Sequence, residues 1–372
     1  MKSGLMAMLP VQDAESIILD LVQPLDGELD SEVVDLSTAR GRILAASVTS
    51  QLDFPHWDNS AMDGYAVCYT DVKSCSAEQA VVLDIVEEIP AGKQPKRSIQ
   101  SGQAARILTG AVMPPGADTV VMQERTRREG DLVFILEAPK PQAFVRHRAS
   151  FYQAGMPLLQ PGIAIGAPEL AVLAAAQCTQ LRVYRRPRVA IFSTGDELIT
   201  PECPLQPGQI VDSNQYALAA FVAQMGGVPV SLGIVRDEPE LLKEAIVNAI
   251  SSADIVLSTG GVSVGDYDYV EQLLAELGAE MHIRAVAIKP GKPLTVATFP
   301  PAAKPGQKGA GRPILYFGLP GNPVSALVCC WRFVQPVLKK LSGLPQEVWE
   351  PRFVQARACD ELRSDGRRET YL

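Results

Sequence analysis

Two tight turns that follow short apolar runs carry the residues best suited to chemistry. FSTGDEL (residues 192–198) places hydroxyls, a glycine and two carboxylates at the end of the apolar run VAIF. STGGVSVGDYDYV (residues 258–270) adds paired glycines, then Asp266 and Asp268 ahead of a predicted helix. Glycines let a backbone approach a phosphate closely, a helix N-terminus favours an anion, and carboxylates are ligands that Mg²⁺ accepts. The same carboxylates could instead only cap turns or a helix.

Two further motifs add cations and a second helix start. KPGKP (residues 289–293) holds Lys289 and Lys292 three residues apart on a turn that prolines stiffen, which suits an oxyanion. FGLPGNPVSAL (residues 317–327) predicts a helix that Asn322 caps and a proline begins, and such a terminus binds anions. Taken alone, an exposed charged turn and simple helix initiation explain these motifs equally well.

A third group of polar residues lies nearer the beginning of the chain. DFPHWDNSAMDGYAV (residues 53–67) crowds polar side chains beside Trp57 and could hold a flat heterocycle, although a buried tryptophan with turn carboxylates explains the same letters. RILTGAVMPPGADTVVMQE (residues 106–124) contributes Thr109 and otherwise indicates turns. No metal-ligand spacing links the three histidines, which are His56, His147 and His282.

The composition argues against several functional classes, including nucleic-acid-binding and membrane proteins. The 372 residues predict roughly two to four compact units. A net charge of −8 argues against a general nucleic-acid binder, which needs clustered lysine and arginine. No apolar stretch approaches about 18 residues, so the sequence predicts neither export nor a membrane span. Seven scattered cysteines without a CxxC pair favour reduced thiols and a cytoplasmic location.

The first half of the chain alternates between helical and β-rich patterns. Apolar residues recur at helical spacing in residues 11–25, and residues 37–45 offer a second short helix. Residues 51–142 contain short β-rich runs separated by proline and glycine turns, which predicts an all-β insertion. A helical pattern returns at residues 168–177. We therefore expect the chain to leave a helical domain, build the β unit and return.

From residue 188 the pattern is strand, loop, helix, repeated. This alternation predicts an α/β domain with a mostly parallel sheet, in which ligands bind beyond the carboxyl ends of the strands. All the sharpest motifs fall at those ends. One helix is expected at residues 214–224, closed by Gly226 and Gly227. Beyond residue 342 a new β-like segment, RFVQARAC, begins.

Seven motifs in a fixed order resemble those of MoeA and gephyrin-type proteins: NSAMDGYAV, RILTGAVMPPGAD, STGDEL, IVDSN, STGGVSVGDYDYV, KPGKP and GLPGNPVSA. The resemblance runs from about residue 14 to residue 343. It implies an α/β multidomain protein with an elongated helical domain (residues 1–50 and 150–186) and an inserted β domain (residues 51–149). A molybdopterin-binding α/β domain (residues 187–342) and the beginning of a C-terminal β domain (residues 343–372) would follow.

The resemblance also implies an activity. Adenylylated molybdopterin and molybdate react in the presence of Mg²⁺, AMP is released and molybdenum cofactor is formed. The expected partners are a second copy of the chain in a homodimer, molybdopterin adenylyltransferase and molybdoenzyme chaperones, with no nucleic acid and no membrane. The family expectation is a site at the dimer interface.

The motifs and the resemblance together define the candidate site. The predicted catalytic residues are Asp63, Glu197, Asp237, Asp268 and Lys289, with Glu197 and Asp268 as the Mg²⁺ ligands. The predicted substrate-binding residues are Thr109, Arg146, Ser193, Thr194, Gly195, Ser258, Gly260, Gly261, Ser263, Gly265, Lys292, Pro320, Gly321, Asn322 and Ser325.

Two positions depart from the family pattern. In RHRASF, Arg146 matches but Phe151 stands where the family has a carboxylate, and Ala285 replaces a basic residue, although Arg284 is adjacent. These departures keep a non-catalytic molybdopterin-binding scaffold as the alternative function. The adenylyltransferase that acts one step earlier would leave the residues before about 186 unexplained.

Overall fold

A computed structural model describes residues 8–261, 269–301, 311–364 and 366–372. Within these ranges the helices are α1 (Val11–Leu21), α2 (Tyr69–Val72), α3 (Ala167–Ala175), α4 (Asn214–Gln224), α5 (Pro239–Ser252), α6 (Tyr269–Glu276), α7 (Pro323–Cys329) and α8 (Gln335–Leu341). A π-helical turn, Cys330–Val334, joins α7 to α8.

The strands in the same ranges are β1 (Ser31–Asp35), β2 (Val48–Thr49), β3 (Asn59–Ser60), β4 (Gly64–Val67), β5 (Val81–Ile89), β6 (Gln103–Ile107), β7 (Thr119–Met122), β8 (Thr126–Glu129), β9 (Leu132–Ile135), β10 (Val145–Arg146), β11 (Pro157–Leu159), β12 (Gln180–Tyr184), β13 (Arg188–Thr194), β14 (Leu198–Ile199), β15 (Ile210–Val211), β16 (Val228–Val235), β17 (Ile255–Thr259), β18 (Glu280–Ala285), β19 (Ile288–Lys289), β20 (Pro293–Phe299), β21 (Ile314–Leu319) and β22 (Glu369–Thr370).

The chain divides into two compact units. Unit 1 comprises Met1–Ala46, Pro161–Gly166 and Arg182–Leu372, and unit 2 comprises Ser47–Gln160 and Ala167–Leu181. In the described ranges, no helix is long and apolar enough to cross a lipid bilayer.

Unit 1 contains a six-stranded sheet in the order β16-β13-β17-β21-β20-β18. The first four strands of this order run parallel to one another, whereas β20 and β18 are antiparallel to their neighbours. Side chains of β13 alternate between two cores: Val189 and Ile191 pack with α1, α4 and α8, and Ala190 and Phe192 pack with α5 and α6. Helices therefore cover both faces of the sheet, as the alternating pattern predicted, although the sheet is mixed.

Unit 2 contains a second six-stranded sheet, in the order β7-β4-β6-β5-β9-β8. Its pairs are antiparallel except β5 with β6. Tyr65 and Val67 enter one apolar core, and Ala66 between them enters the other. The β-rich runs seen in residues 51–142 are thus the strands of a sheet with two packed faces.

Two local predictions are wrong. Residues 37–45 form a single 3₁₀ turn, Leu36–Thr38, followed by isolated bridges of Ile43 and Leu44, because Gly41 takes a φ of 73° that ends the helical path. The β-like segment at residues 352–359 contains no strand in the described chain, since Val354 is 87% exposed and the segment has no partner strand there.

Candidate active site

Three parallel strands of unit 1 end side by side at one edge of the sheet. Ser193 of β13 lies opposite Thr259 of β17, and Thr259 lies opposite Leu319 of β21. The turns that follow these strands are therefore neighbours, as the motif positions predicted. The carboxyl edge of such a sheet is where ligands of α/β proteins bind.

The first two turns approach each other so closely that only glycine fits. Gly260 has a φ of 83°, and a Cβ atom on it would lie 2.2 Å from the carbonyl oxygen of Thr194. Gly261 has a φ of 65°, and its Cβ would lie 2.9 Å from the Thr194 hydroxyl oxygen. The third turn joins them, because a Cβ on Gly321 would lie 3.8 Å from the Cα atom of Gly260. Where the three turns meet, the surface is therefore formed by glycine backbone without side chains.

The hydroxyl groups at the strand ends are buried, and most of them hold the strands to one another. Thr259 donates from Oγ1 to Oγ of Ser193 at 3.0 Å, and the Ser258 hydroxyl lies 2.6 Å from that of Tyr316. Thr194 is 3% exposed, and its Oγ1 has no hydrogen-bond partner among the described residues. Ser193 and Ser258 therefore support the edge from within, whereas the hydroxyl of Thr194 keeps its hydrogen-bonding capacity beside the glycines.

The turn after β21 begins a helical segment that continues through α7 and the π turn into α8. Asn322 caps α7, since its Oδ1 accepts a hydrogen bond from the backbone N–H of Ser325 at 3.1 Å. The preceding Gly321 carbonyl accepts from Nδ2 of Asn214, the first residue of α4, at 2.8 Å. Sequence reasoning did not single out Asn214; its position in IVDSN, directly before a predicted helix, was the available signal.

The KPGKP turn packs against the same helical segment. A Cβ atom on Gly291 would lie 2.8 Å from Sγ of Cys329 and 3.6 Å from the carbonyl oxygen of Ser325. The φ of Gly291 is 117°, which also favours glycine. Lys289 and Lys292, both half-buried, therefore lie on a turn that packs along α7, between Ser325 and Cys329. The structure therefore places the KPGKP turn beside α7, the helix that begins directly after the turn that follows β21.

Carboxylates gather where β13 and β16 end. The side chain of Glu197 folds over Gly195, whose φ is 150°, so that a Cβ there would lie 2.6 Å from a carboxylate oxygen. The backbone N–H of Asp237 donates to Oδ1 of Asp196 at 3.3 Å. Desolvation, followed by the negative charges of Asp196 and Glu197, raises the pKa of the Asp237 carboxyl. Asp196, which was not among the predicted catalytic residues, thus belongs to this carboxylate group.

The carboxylate group leads to a first prediction. Asp237→Asn should raise the melting temperature at pH 7 by about 1–3 °C, because it removes repulsion between like charges. The raised pKa means that the folded chain holds this proton more tightly than the unfolded chain, so the ionised carboxylate opposes folding above the folded pKa. The gain should therefore shrink as the pH falls from 7 to 4, which thermal unfolding at each pH would measure. A lower melting temperature at pH 7 would contradict the placement of Asp237.

Unit 2 holds the remaining predicted residues. Asp63 is exposed, and one of its carboxylate oxygens accepts hydrogen bonds from Oγ1 and the backbone N–H of Thr109 at 2.6 Å and 2.7 Å. These bonds, with a smaller contribution from Arg106, lower the pKa of Asp63. Arg146 is exposed and lies opposite Asn59 in the ladder of β10 with β3. Asp63 and Thr109 therefore form one polar pair, and the ladder fixes the backbone at Arg146.

The structure shows what surrounds the two positions, Phe151 and Ala285, that depart from the family pattern. Phe151 is 66% exposed, and its ring centroid lies 5.7 Å from that of Phe54, so an aromatic surface occupies the position of the expected carboxylate. Nε of Arg284 lies 2.9 Å from a carboxylate oxygen of Glu271. The guanidinium of Arg284 is therefore already paired, which weakens its interpretation as a substitute for the basic residue missing at Ala285.

Several predicted residues cannot be placed, and the histidines have ordinary surroundings. Ser263, Gly265 and Asp268 lie outside the described residues. Among the residues that are described, no group of three or more histidine, cysteine, aspartate or glutamate side chains could hold a metal ion. The rings of His56, His147 and His282 form hydrogen bonds with the carbonyl of Asp53, the carboxylate of Asp58 and the hydroxyl of Thr298, in that order.

Two protein-family models match this chain, one in each half of the sequence. Residues 9–176 match the model of the MoeA N-terminal region (domains I and II), and residues 190–340 match that of a probable molybdopterin binding domain. The chain is 62% identical to a molybdopterin molybdenumtransferase of Nostoc sp. over 97% of its length and 81% of the relative. A protein of that name from Haemophilus influenzae is 34% identical over 97% of this chain and 84% of its own length.

Solved structures that resemble this chain are of the same kind of protein. The molybdopterin biosynthesis moeA protein of Pyrococcus horikoshii OT3 superposes with a TM-score of 0.77 at 28% identity. The match covers 91% of this chain and 80% of that protein. Both the sequence and the fold of the chain are therefore shared with these proteins over most of their length.

Proposed function

The chain belongs to the MoeA family of molybdopterin molybdenumtransferases, and from this premise we propose that it is itself such an enzyme. The proposed reaction inserts molybdate into the dithiolene of adenylylated molybdopterin and releases AMP. The dithiolene supplies the sulfur ligands of molybdenum, so the reaction needs no protein cysteine. This agrees with the surroundings of Cys329 and Cys330, which are buried among apolar side chains.

One observation carries the proposal. The turns after β13, β17 and β21 meet at one edge of the sheet, where their glycine backbones pack against one another. Glycine backbones and the start of a capped helical segment are groups that bind phosphate oxygens. The diphosphate of a nucleotide-linked pterin is therefore the ligand chemistry that this edge fits best. We assign its binding to the turns at residues 194–195, 260–261 and 320–325.

The charged groups around this edge have complementary roles in the proposal. Lys289 and Lys292 would neutralise phosphate charge that develops as the anhydride bond to AMP breaks. Oxygen ligands from one or two carboxylates, completed by phosphates and water, are the set that Mg²⁺ prefers. Glu197 and Asp268 are proposed as these carboxylate ligands, and Asp237, beside Asp196, as a further acidic residue of the site. When bound, Mg²⁺ would supply electrostatic stabilisation of the diphosphate oxygens.

Thr109 provides a test of the catalytic role predicted for Asp63, which the reaction would need in its ionised form. Thr109→Ala removes the hydroxyl that contributes most to the lowered pKa of Asp63. Because a lowered pKa keeps a carboxylate ionised to lower pH, the variant should lose AMP release at a higher pH than the wild type on acidification. The measurement is kcat/KM between pH 4 and 8, with Thr126→Ala, a half-buried threonine of β8 in unit 2, as the control. Identical acid limbs in all three proteins would contradict the assignment.

The alternative function, a non-catalytic scaffold, is motivated by Phe151 and Ala285. A scaffold that binds molybdopterin without turnover would retain the glycine turns while lacking a carboxylate and a cation of the family pattern. The two functions differ in one result. The enzyme releases AMP from adenylylated molybdopterin only when molybdate and Mg²⁺ are added, whereas the scaffold binds the pterin and releases none.

A genetic experiment tests the same distinction in cells. A strain that lacks molybdotransferase should regain nitrate reductase activity when it expresses this chain. The control is the same chain with Glu197→Gln, which should restore none. Restoration by both proteins would overturn the proposed mechanism, and restoration by neither would favour the scaffold.

We further propose the assembly and location that the family resemblance implied. The partners would be a second copy of the chain, molybdopterin adenylyltransferase and molybdoenzyme chaperones. The location would be the cytoplasm, which all seven cysteines support, since each is a free thiol. The net charge of −8 supports the absence of a general nucleic-acid partner.

A further inference from the structure

The strand that leads into the KPGKP turn is held from both sides by segments distant in sequence. On one side, the backbone N–H of Ala287 donates to the carbonyl of Leu9 at 2.8 Å, and that of Leu9 donates to Ala285 at 3.2 Å. On the other side, β22 runs parallel to β19: the N–H of Glu369 donates to Ala287 at 2.9 Å. Residues 285–289 are therefore the middle strand of a narrow three-part ladder.

The last bond of this ladder reaches the first lysine of the turn. The N–H of Tyr371 donates to the carbonyl oxygen of Lys289 at 2.8 Å. The ring of Tyr371 packs edge-on against that of Trp331, with 5.7 Å between their centroids, and its hydroxyl bonds to the carboxylate of Glu369. The backbone of Lys289 is thus hydrogen-bonded to Tyr371, whose side chain forms a cluster with Trp331 and Glu369.

A single buried arginine joins the two flanks of this ladder. Arg332 is 4% exposed and makes an ion pair with Glu15 of α1, the helix that begins two residues after Leu9. Its Nε lies 3.4 Å from a carboxylate oxygen of Glu369 in β22. One guanidinium therefore contacts a carboxylate on each flanking element, which a rigid fork of five donors is suited to do.

The position of Arg332 also connects this cluster to α7. Arg332 lies in the π-helical turn Cys330–Val334, within the helical segment that Asn322 caps. π turns are rare and are found frequently at functional sites. One turn earlier in the same segment, Cys329 contacts Gly291 of the KPGKP turn. The same helical segment therefore supports both the glycine turn after β21 and the lysine turn.

We propose that Arg332, Glu369 and Tyr371 are positioning residues that hold the KPGKP turn in the form that binds substrate. None of the three needs to touch the substrate, since they act through the backbone of β19. The inference rests on the proposed function, because that function assigns Lys289 and Lys292 to the diphosphate. It goes beyond it by giving a role to residues that no motif of the candidate site includes.

Glu369→Gln and Tyr371→Phe test the proposal with little change in shape. Glu369→Gln removes one charge of the cluster, and Tyr371→Phe keeps the ring against Trp331 while removing the hydroxyl. Each should raise the KM for adenylylated molybdopterin about tenfold, because small misplacements of binding groups weaken catalysis strongly. Arg332→Lys should retain more activity than Arg332→Met, since it keeps the positive charge.

The matched control is a partly buried ion pair at the amino ends of the strands of the six-stranded sheet, away from the binding edge. Asp254 precedes β17 and accepts two hydrogen bonds of 2.7 Å from Arg185. Asp254→Asn should lower the melting temperature at least as much as Glu369→Gln while leaving the KM within about twofold of the wild type. Equal changes in KM for Asp254→Asn and Glu369→Gln would reduce the role of the cluster to stability and overturn the proposal.

Hydrogen exchange separates this inference from the proposed function. Glu369→Gln should accelerate amide exchange in residues 286–292 at least about tenfold relative to the wild type, and Asp254→Asn should not. Unchanged exchange in that segment would overturn the positioning role. Failure of the wild type to release AMP would instead overturn the proposed function, and the exchange result would still report whether the cluster holds the turn.

Discussion

Glu197→Gln should reduce molybdate-dependent AMP release at least about a hundredfold, the magnitude seen when one group that stabilises transition-state charge is removed. The carboxylate of Glu197 folds over Gly195 at the end of β13, beside Asp196 and Asp237. A neutral amide of the same shape cannot supply negative charge to a cation there. The measurement is single-turnover AMP release by purified protein at saturating Mg²⁺.

The control for this variant is another carboxylate close to the same edge. Glu240 is exposed in the first turn of α5, three residues beyond Asp237. Glu240→Gln should release AMP at the wild-type rate, because its charge is solvated. Normal turnover by Glu197→Gln would refute the catalytic assignment, whereas equal losses in the two variants would indicate a general effect of net charge.

Gly260→Ala should produce the second large effect, on both folding and activity. The added Cβ would lie 2.2 Å from the carbonyl oxygen of Thr194, so the turns after β13 and β17 must separate. Backbone strain and overpacking together should lower the free energy of unfolding by about 2–4 kcal/mol. A displacement of about 1 Å in the phosphate-binding turns should also slow AMP release roughly a hundredfold.

Gly226 provides a matched substitution that isolates the close contact. Its φ is 84°, against 83° for Gly260, but a Cβ on it would meet nothing within 4 Å. Gly226→Ala should therefore lower the free energy of unfolding by only about 1 kcal/mol and leave AMP release unchanged. Chemical denaturation and the AMP assay measure both quantities. If the two glycine variants behave alike, the turns do not meet as closely as described.

Local patterns in the sequence were sufficient to predict much of unit 1. The helix expected at residues 214–224 is α4 with the same bounds, because apolar residues recur through it and Gly226 and Gly227 end it. The strand-end motifs could also be placed at one edge, since parallel strands present their carboxyl ends together. Turn residues that follow buried strands in the sequence therefore predict which loops meet at this edge.

Contacts between distant segments were not predictable from such patterns. Arg332 and Glu15 are 317 positions apart, and nothing in either local sequence indicates that they pair. The antiparallel pairing of β18 and β20 likewise depends on the order of strands in the sheet rather than on their composition. For the helix expected at residues 37–45 a local and a distant cause combine: Gly41 takes a φ of 73°, and Leu44 forms a bridge with Val183.

The central claim is that the turns after β13, β17 and β21 form a single binding site for a nucleotide-linked pterin. A crystal structure of the chain with adenylylated molybdopterin tests it most directly. The diphosphate should lie within hydrogen-bond distance of the backbone at Gly195, Gly260 or Gly321, with the lysines of the KPGKP turn facing it. A pterin nucleotide bound elsewhere, with this edge in contact only with water, would contradict the claim.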